Sequence, residues 1–168
     1  MEKGIPPEKI VVAGDSAGGN LTLALVVALK ERGRPLPAAA VAISPATDLT
    51  GKGESHQSRL KVDPFFDGHE PGIIVPGYTA GHAPDEPLIS PLFADLHGLP
   101  PLLIHVGDHE MLLDDAVHFA EKARAAGVDV TLKVWPEMFH VFQIFGPLLP
   151  EARKANREIA EFIQHEMD

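Results

Sequence analysis

The 168-residue chain contains no cysteine, which excludes disulfide staples, thiolate metal sites and a cysteine nucleophile together and fits a reducing compartment. A cytoplasmic location is the expectation. Cations are scarce as well: 14 Lys and Arg stand against 24 Asp and Glu, a formal charge of −10. A phosphate backbone or an anionic membrane surface is repelled by such a chain at long range, so nucleic acid is not an expected partner. Long apolar runs are missing too. The longest, within Leu21 to Leu29, falls far short of a membrane span, and Met1 to Pro7 holds no signal-peptide core. What remains, 45% hydrophobic and 23% charged residues, is the composition of a globular domain able to bury a core. Its 15 Gly and 16 Pro point to many turns.

Four short apolar runs read as strands, at Lys9 to Ala13, Ala38 to Ser44, Leu102 to Val106 and Val128 to Trp135. The first three are continuously apolar, as in a parallel sheet covered on both faces, while the fourth alternates. Ala17 to Gly33 is apolar almost all round and predicts a buried helix stopped at Gly33. A second helix fits Asp114 to Ala126, with Asp114 as its cap and Gly127 after its last turn. A third fits Pro150 to Glu166, with Ala152, Ala155, Ile159, Phe162 and Ile163 at helical spacing and Glu158 among the outward charges. This order of elements is α/β, in a single domain over residues 1–168. Residues 48–101, rich in Gly, Pro and His, form a long connection with candidate lid elements and one weak helical stretch around Gly72 to Thr79.

Gly14-Asp15-Ser16-Ala17-Gly18-Gly19 follows the first strand and opens the first helix, the strand-turn-helix setting in which G-x-S-x-G forms a nucleophile elbow. There the Ser16 hydroxyl is lifted clear of the sheet, and the N–H of Ala17 can face a developing oxyanion. A glycine turn before a helix can also cradle a phosphate, but no Gly-Lys-Ser/Thr follows and Asp15 brings negative charge to that place. A serine nucleophile needs a base and an orienting carboxylate. His140 follows the fourth strand and Glu110 the third, so in a parallel sheet Ser16, Glu110 and His140 converge on one edge. Their chain order is that of the α/β-hydrolase fold. Asp108, Asp114 and Asp115 crowd Glu110 as helix caps or solvated charges, His109 is a competing base, and His140 among Phe139, Phe142 and Phe145 also reads as a core residue. His105, His109 and Glu110 suggest a metal site, but His105 and His109 straddle a strand end, where their orientation is unconstrained, and no metal is expected.

With these residues the chain resembles the C-terminal part of a hormone-sensitive-lipase-like esterase, the bacterial family IV branch of the α/β-hydrolases. The resemblance runs through Lys9 to Asn20, Ser44-Pro45-Ala46-Thr47-Asp48-Leu49, Pro87 to Leu92, Leu99 to Ile104 and Trp135 to His140. It implies Ser16 as nucleophile and His140 as base. For the acid, the family has a carboxylate followed by x-Leu-x-Asp; Glu110-Met111-Leu112-Leu113-Asp114 matches with Glu in the usual Asp place, and Asp108 is the reserve. Asp15, Ala17 and Gly18 are the expected oxyanion and substrate contacts. The implied activity is hydrolysis of short-chain carboxylic esters, with no cofactor and no metal.

The family's upstream His-Gly-Gly motif, which completes the oxyanion hole, and its first strands have no counterpart in this sequence, so the expected fold is an N-terminally truncated α/β-hydrolase. His97-Gly98 comes after Ser16 and cannot stand in for that motif. Two expectations follow. The first strand becomes an apolar edge, which favours a homodimer or higher homo-oligomer. The oxyanion hole keeps only one of its donors, a loss that typically costs about 10²–10³ in rate. The rival reading is a catalytically impaired fragment acting as a self-associating or partner-bound module.

Overall fold

Four runs of small and β-branched residues form one parallel sheet in a computed structural model that describes residues 4–66, 68 and 74–167, the side chains of 74 and 75 excepted. The strands are β1 (Val11–Asp15), β2 (Ala39–Ile43), β3 (Leu102–Gly107) and β4 (Val130–Trp135), and they lie side by side in chain order. Val11 pairs with Ala39, Ala40 with Leu102, and Leu102 with Val130, so all four strands end along one edge of the sheet. This is the parallel α/β-hydrolase architecture that the sequence implies.

Among the described residues five α-helices accompany the sheet: α1 (Ala17–Glu31), α2 (Ser55–Ser58), α3 (Ile74–Thr79), α4 (Leu113–Ala125) and α5 (Pro150–Met167). One face of the sheet packs on α1 and α4, where Ala40, Ala42, Leu102, Ile104 and Val106 meet Leu23, Val26, Val27, Ala116 and Phe119 in the main core. Strand alternation turns Leu103 and His105 to the other face. There Trp135, Phe142, Ala152 and Ala155 form a smaller core under α5.

Several expectations are corrected by tertiary context. The first strand begins at Val11 rather than Lys9, because Pro7–Lys9 close a short 3-10 turn in which the N–H of Lys9 donates to the carbonyl of Pro6. It is only partly buried despite its apolar run: as the edge strand it has β2 on one side, and Ala13 and Asp15 are exposed. The α1 helix is not buried all round, since Leu21 and Leu25 are 54% and 43% exposed. Asp114 does not cap α4, which starts one residue earlier at Leu113; its carboxylate accepts the N–H of Ser55 instead. Glu158 does not point fully outward, for it pairs with Lys133 of β4 at 3.1 Å. The helix near residues 72–79 runs over Ile74–Thr79, and residues 72 and 73 lie outside the described residues. Among the described residues no helix is long and apolar enough to cross a membrane.

Candidate active site

Parallel pairing brings the ends of all four strands together, and each contributes one residue to a hydrogen-bonded cluster. Ser16 follows β1 at the start of α1, in a conformation with φ +54° that a non-glycine residue adopts only under strain of about 1–3 kcal/mol. The strain is held by packing. The Ser16 N–H donates to the carbonyl of Ile43, and the Ser16 carbonyl accepts from Asn20. A side chain on Gly14 would collide with the carbonyl of Gly18 and the Thr22 hydroxyl, so glycine there lets helix and strand approach. Gly18, by contrast, faces open space.

Ser16 Oγ lies 2.9 Å from His140 Nε2, and His140 Nδ1 lies 2.8 Å from Glu110 Oε2. The carboxylate is buried, and its other oxygen accepts from the Ser44 hydroxyl at 2.8 Å and from the Gly107 N–H at 2.5 Å. With the carboxylate accepting, the His140 Nδ1–H donates to Glu110 and Nε2 is left to accept the Ser16 proton. The acid and base loops are stitched to each other: the His109 N–H donates to the Met138 carbonyl, and the Glu137 N–H donates to Asp108 at 2.6 Å. Asp108, the reserve acid, is thus engaged with backbone and not with His140. His109 stands half-exposed beside Asp108.

Ala17 provides the first N–H of α1, which has no intrahelical acceptor by its position. It lines a cavity of about 570 Å³ together with Ser16, a volume suited to a small-molecule ligand. Asp15 is exposed at the end of β1, and neither it nor Gly18 lines this cavity. The His97 ring sits at the surface against Asp95. His105 is buried in β3, with its ring tilted on Trp135 and Glu158 3.9 Å away; burial lowers its pKa to about 4. Among the described residues no three His, Asp or Glu side chains are grouped to hold a metal ion.

Four further residues belong to this site without having been expected there. The rings of Phe65 and Phe66 pack on His140 with centroids 5.3 and 5.0 Å away. His56 lines the cavity and bonds through Nε2 to Asp115 at 2.6 Å, a contact that raises its pKa against the opposing effect of burial. Ser44 joins the acid to the base loop, since its hydroxyl also accepts the N–H of Val141 at 3.2 Å. Only Ser44 had a signal, its place in the Ser-Pro-Ala-Thr-Asp-Leu motif; the others come from the long connection, which has no periodicity.

A serine at the first strand end, hydrogen-bonded to a histidine and through it to a carboxylate on a parallel sheet, is the arrangement of an α/β-hydrolase. The family pattern described as alpha/beta hydrolase fold matches residues 1–144, and the chain belongs to that family. Within it the likeness is to hormone-sensitive-lipase-like esterases of family IV, in their C-terminal part. An acetyl-hydrolase of Streptomyces hygroscopicus is 46% identical over 164 residues, covering 98% of this chain and 55% of that protein. An esterase of Acinetobacter venetianus is 42% identical over 163 residues, covering 96% of this chain and 54% of that protein. The crystal structure of an esterase from the bacterial hormone-sensitive lipase family superposes with a TM-score of 0.95 at 46% identity, over 99% of this chain and 56% of the other. The chain therefore spans about half the length of the relatives it matches.

Proposed function

We propose that this chain is a serine carboxylesterase that hydrolyses short-chain carboxylic esters through an acyl-enzyme. The observation that carries the reading is the unbroken relay from Ser16 Oγ through His140 to the buried Glu110. Ser16 Oγ attacks the ester carbonyl carbon while His140 Nε2 takes its proton, and Glu110 stabilises the resulting imidazolium. The oxyanion faces the Ala17 N–H at the helix start, with the Gly18 N–H next in line. As the carbonyl re-forms, the ester C–O bond breaks and His140 returns the proton to the leaving alcohol. Water then repeats the sequence on the acyl-enzyme, releasing the acid and restoring Ser16.

The reading is tested by hydrolysis of p-nitrophenyl acetate and butyrate beside Ser16→Ala prepared identically. Activity abolished by the substitution is the expected result. Equal, near-background rates in both proteins overturn the esterase and leave the impaired, self-associating module. A specific observation favours association in either case: β1 is an edge strand, and the exposed Leu21 and Leu25 stand on the helix that follows it. A homodimer or higher homo-oligomer is expected by light scattering, with Leu25→Lys shifting it toward monomer. A monomer at all concentrations removes this part of the proposal.

A further inference from the structure

We propose that Ser44 is a positioning residue whose single hydroxyl sets the acid and the base against each other, an inference that rests on the serine-hydrolase reading above. Ser44 stands at the end of β2, 1% exposed, with its own N–H donating to the His105 carbonyl at 2.7 Å. Its hydroxyl proton is committed to Glu110 Oε1 at 2.8 Å, and a lone pair of the same oxygen receives the Val141 N–H at 3.2 Å. One atom therefore contacts both the acid loop after β3 and the base loop after β4.

The consequences for the two partners differ. On the acid side, Ser44 and the Gly107 N–H occupy Oε1 between them, which turns Oε2 toward His140 Nδ1. A glutamate has one more rotatable bond than an aspartate, and these two donors remove the freedom it adds. On the base side, Val141 is a buried β-branched residue at φ +52°, an uncommon conformation for such a side chain. Its N–H requires an acceptor, and Ser44 supplies it directly after His140.

The backbone of Ser44 argues for a selected hydroxyl. Its φ is +45°, a conformation glycine adopts at little cost and serine does not. Backbone conformation alone favours glycine at this position, so it is the hydroxyl, through its bonds to Glu110 and Val141, that accounts for a serine here. Glycine is accordingly the informative substitution, because it relieves the backbone while deleting the hydroxyl.

The experiment compares the full chain with Ser44→Gly, Ser44→Ala and Ser44→Cys by thermal unfolding, by the downfield proton resonance of the His140 Nδ1–H, assigned by its loss in His140→Gln, and by the rate at which a fluorophosphonate labels Ser16. Ser44→Gly is expected to melt close to the wild type. Its imidazole resonance moves upfield and exchanges faster with water, and labelling slows about ten- to a hundredfold, the scale of a small misplacement of reacting groups. Ser44→Cys, of similar shape but a weaker donor, falls between serine and alanine. A Ser44→Gly protein with wild-type resonance and labelling overturns the proposal, as does a labelling loss that only follows the melting temperature. If the wild type is not labelled at all, the esterase reading fails while the resonance still decides the role of Ser44: moved, it supports the proposal; unmoved or absent in the wild type, it overturns it. Should Ser44→Gly fail to fold, a folded Ser44→Cys with an unmoved resonance is the overturning result.

Discussion

Asp115 Oδ1 lies 2.6 Å from His56 Nε2, while its other oxygen accepts the N–H groups of Thr47 and Asp48 at 2.7 and 2.8 Å. One buried carboxylate thereby fastens the long connection to the end of β2 and to α4, beside the cavity. The hydrogen bond to Asp115 raises the His56 pKa above 6.5, burial opposes it, and Asp48 and Asp114 add to the rise. The stabilisation is therefore fully present below pH 6.5 and is lost as the pH climbs through the raised value. Denaturant titrations should show His56→Gln less stable than the wild type by on the order of 1–2 kcal/mol at pH 6. The gap should narrow toward alkaline pH; a gap independent of pH contradicts the charged pair.

The opposite sign applies to His105. Burial holds its pKa near 4, below the ordinary 6.5, so the folded protein keeps it neutral while the unfolded chain takes up a proton. Stability falls as the pH drops from 6.5 and stops responding to this group near pH 4. The full effect is about 3 kcal/mol by the conversion of pKa shift to free energy. His105→Leu should flatten the acid limb of the stability profile over that window, measured by urea unfolding at half-unit intervals. An unchanged slope would falsify the assignment.

Two glycines of the elbow should behave differently despite sharing a motif. An alanine at position 14 meets backbone, so Gly14→Ala should cost about 1–3 kcal/mol or more and displace Ser16. Gly18→Ala enters open space on a helix and should leave thermal stability unchanged or slightly raised. Equal losses from both substitutions would contradict the packing described.

On the proposed mechanism, Glu110→Gln removes the carboxylate that holds the His140 tautomer and should lower kcat by about 10⁴. Asp108→Asn should change kcat little, because that side chain serves the Glu137 N–H. Both variants are read from p-nitrophenyl acetate hydrolysis at saturating substrate. A larger loss from Asp108→Asn than from Glu110→Gln would exchange their roles.

The sheet was legible because its strands carry a local signature, runs of Val, Ile, Leu and Ala between turn residues. Its parallel sense followed from the first three runs being continuous; the fourth alternates and carried no such signal. Ser16, Glu110 and His140 were legible for a topological reason, since each follows a strand that ends on the same edge. What the residues alone could not display was long-range partnership. Asp114 has the chemistry of a helix cap yet serves Ser55, 59 positions away. Nothing in the pattern of 48–101 brings Phe65 and Phe66 to His140, and the left-handed backbone at Ser44 leaves no mark on the residue type. The exposure of Leu21 and Leu25 escaped as well, because periodicity reports that a face is apolar and not whether anything covers it.

The sheet order β1-β2-β3-β4 repeats the order of the chain, so during synthesis each new strand emerges beside a neighbour already made. The nucleophile belongs to the first strand end and the base to the last. A growing chain therefore carries Ser16 without its proton acceptor until the 124 positions that separate it from His140 have been added, and on the proposed mechanism its hydroxyl is until then that of an ordinary serine. On that mechanism the reactivity of Ser16 arrives only with the loop after the fourth strand, which would make covalent labelling a clock for the completion of the sheet.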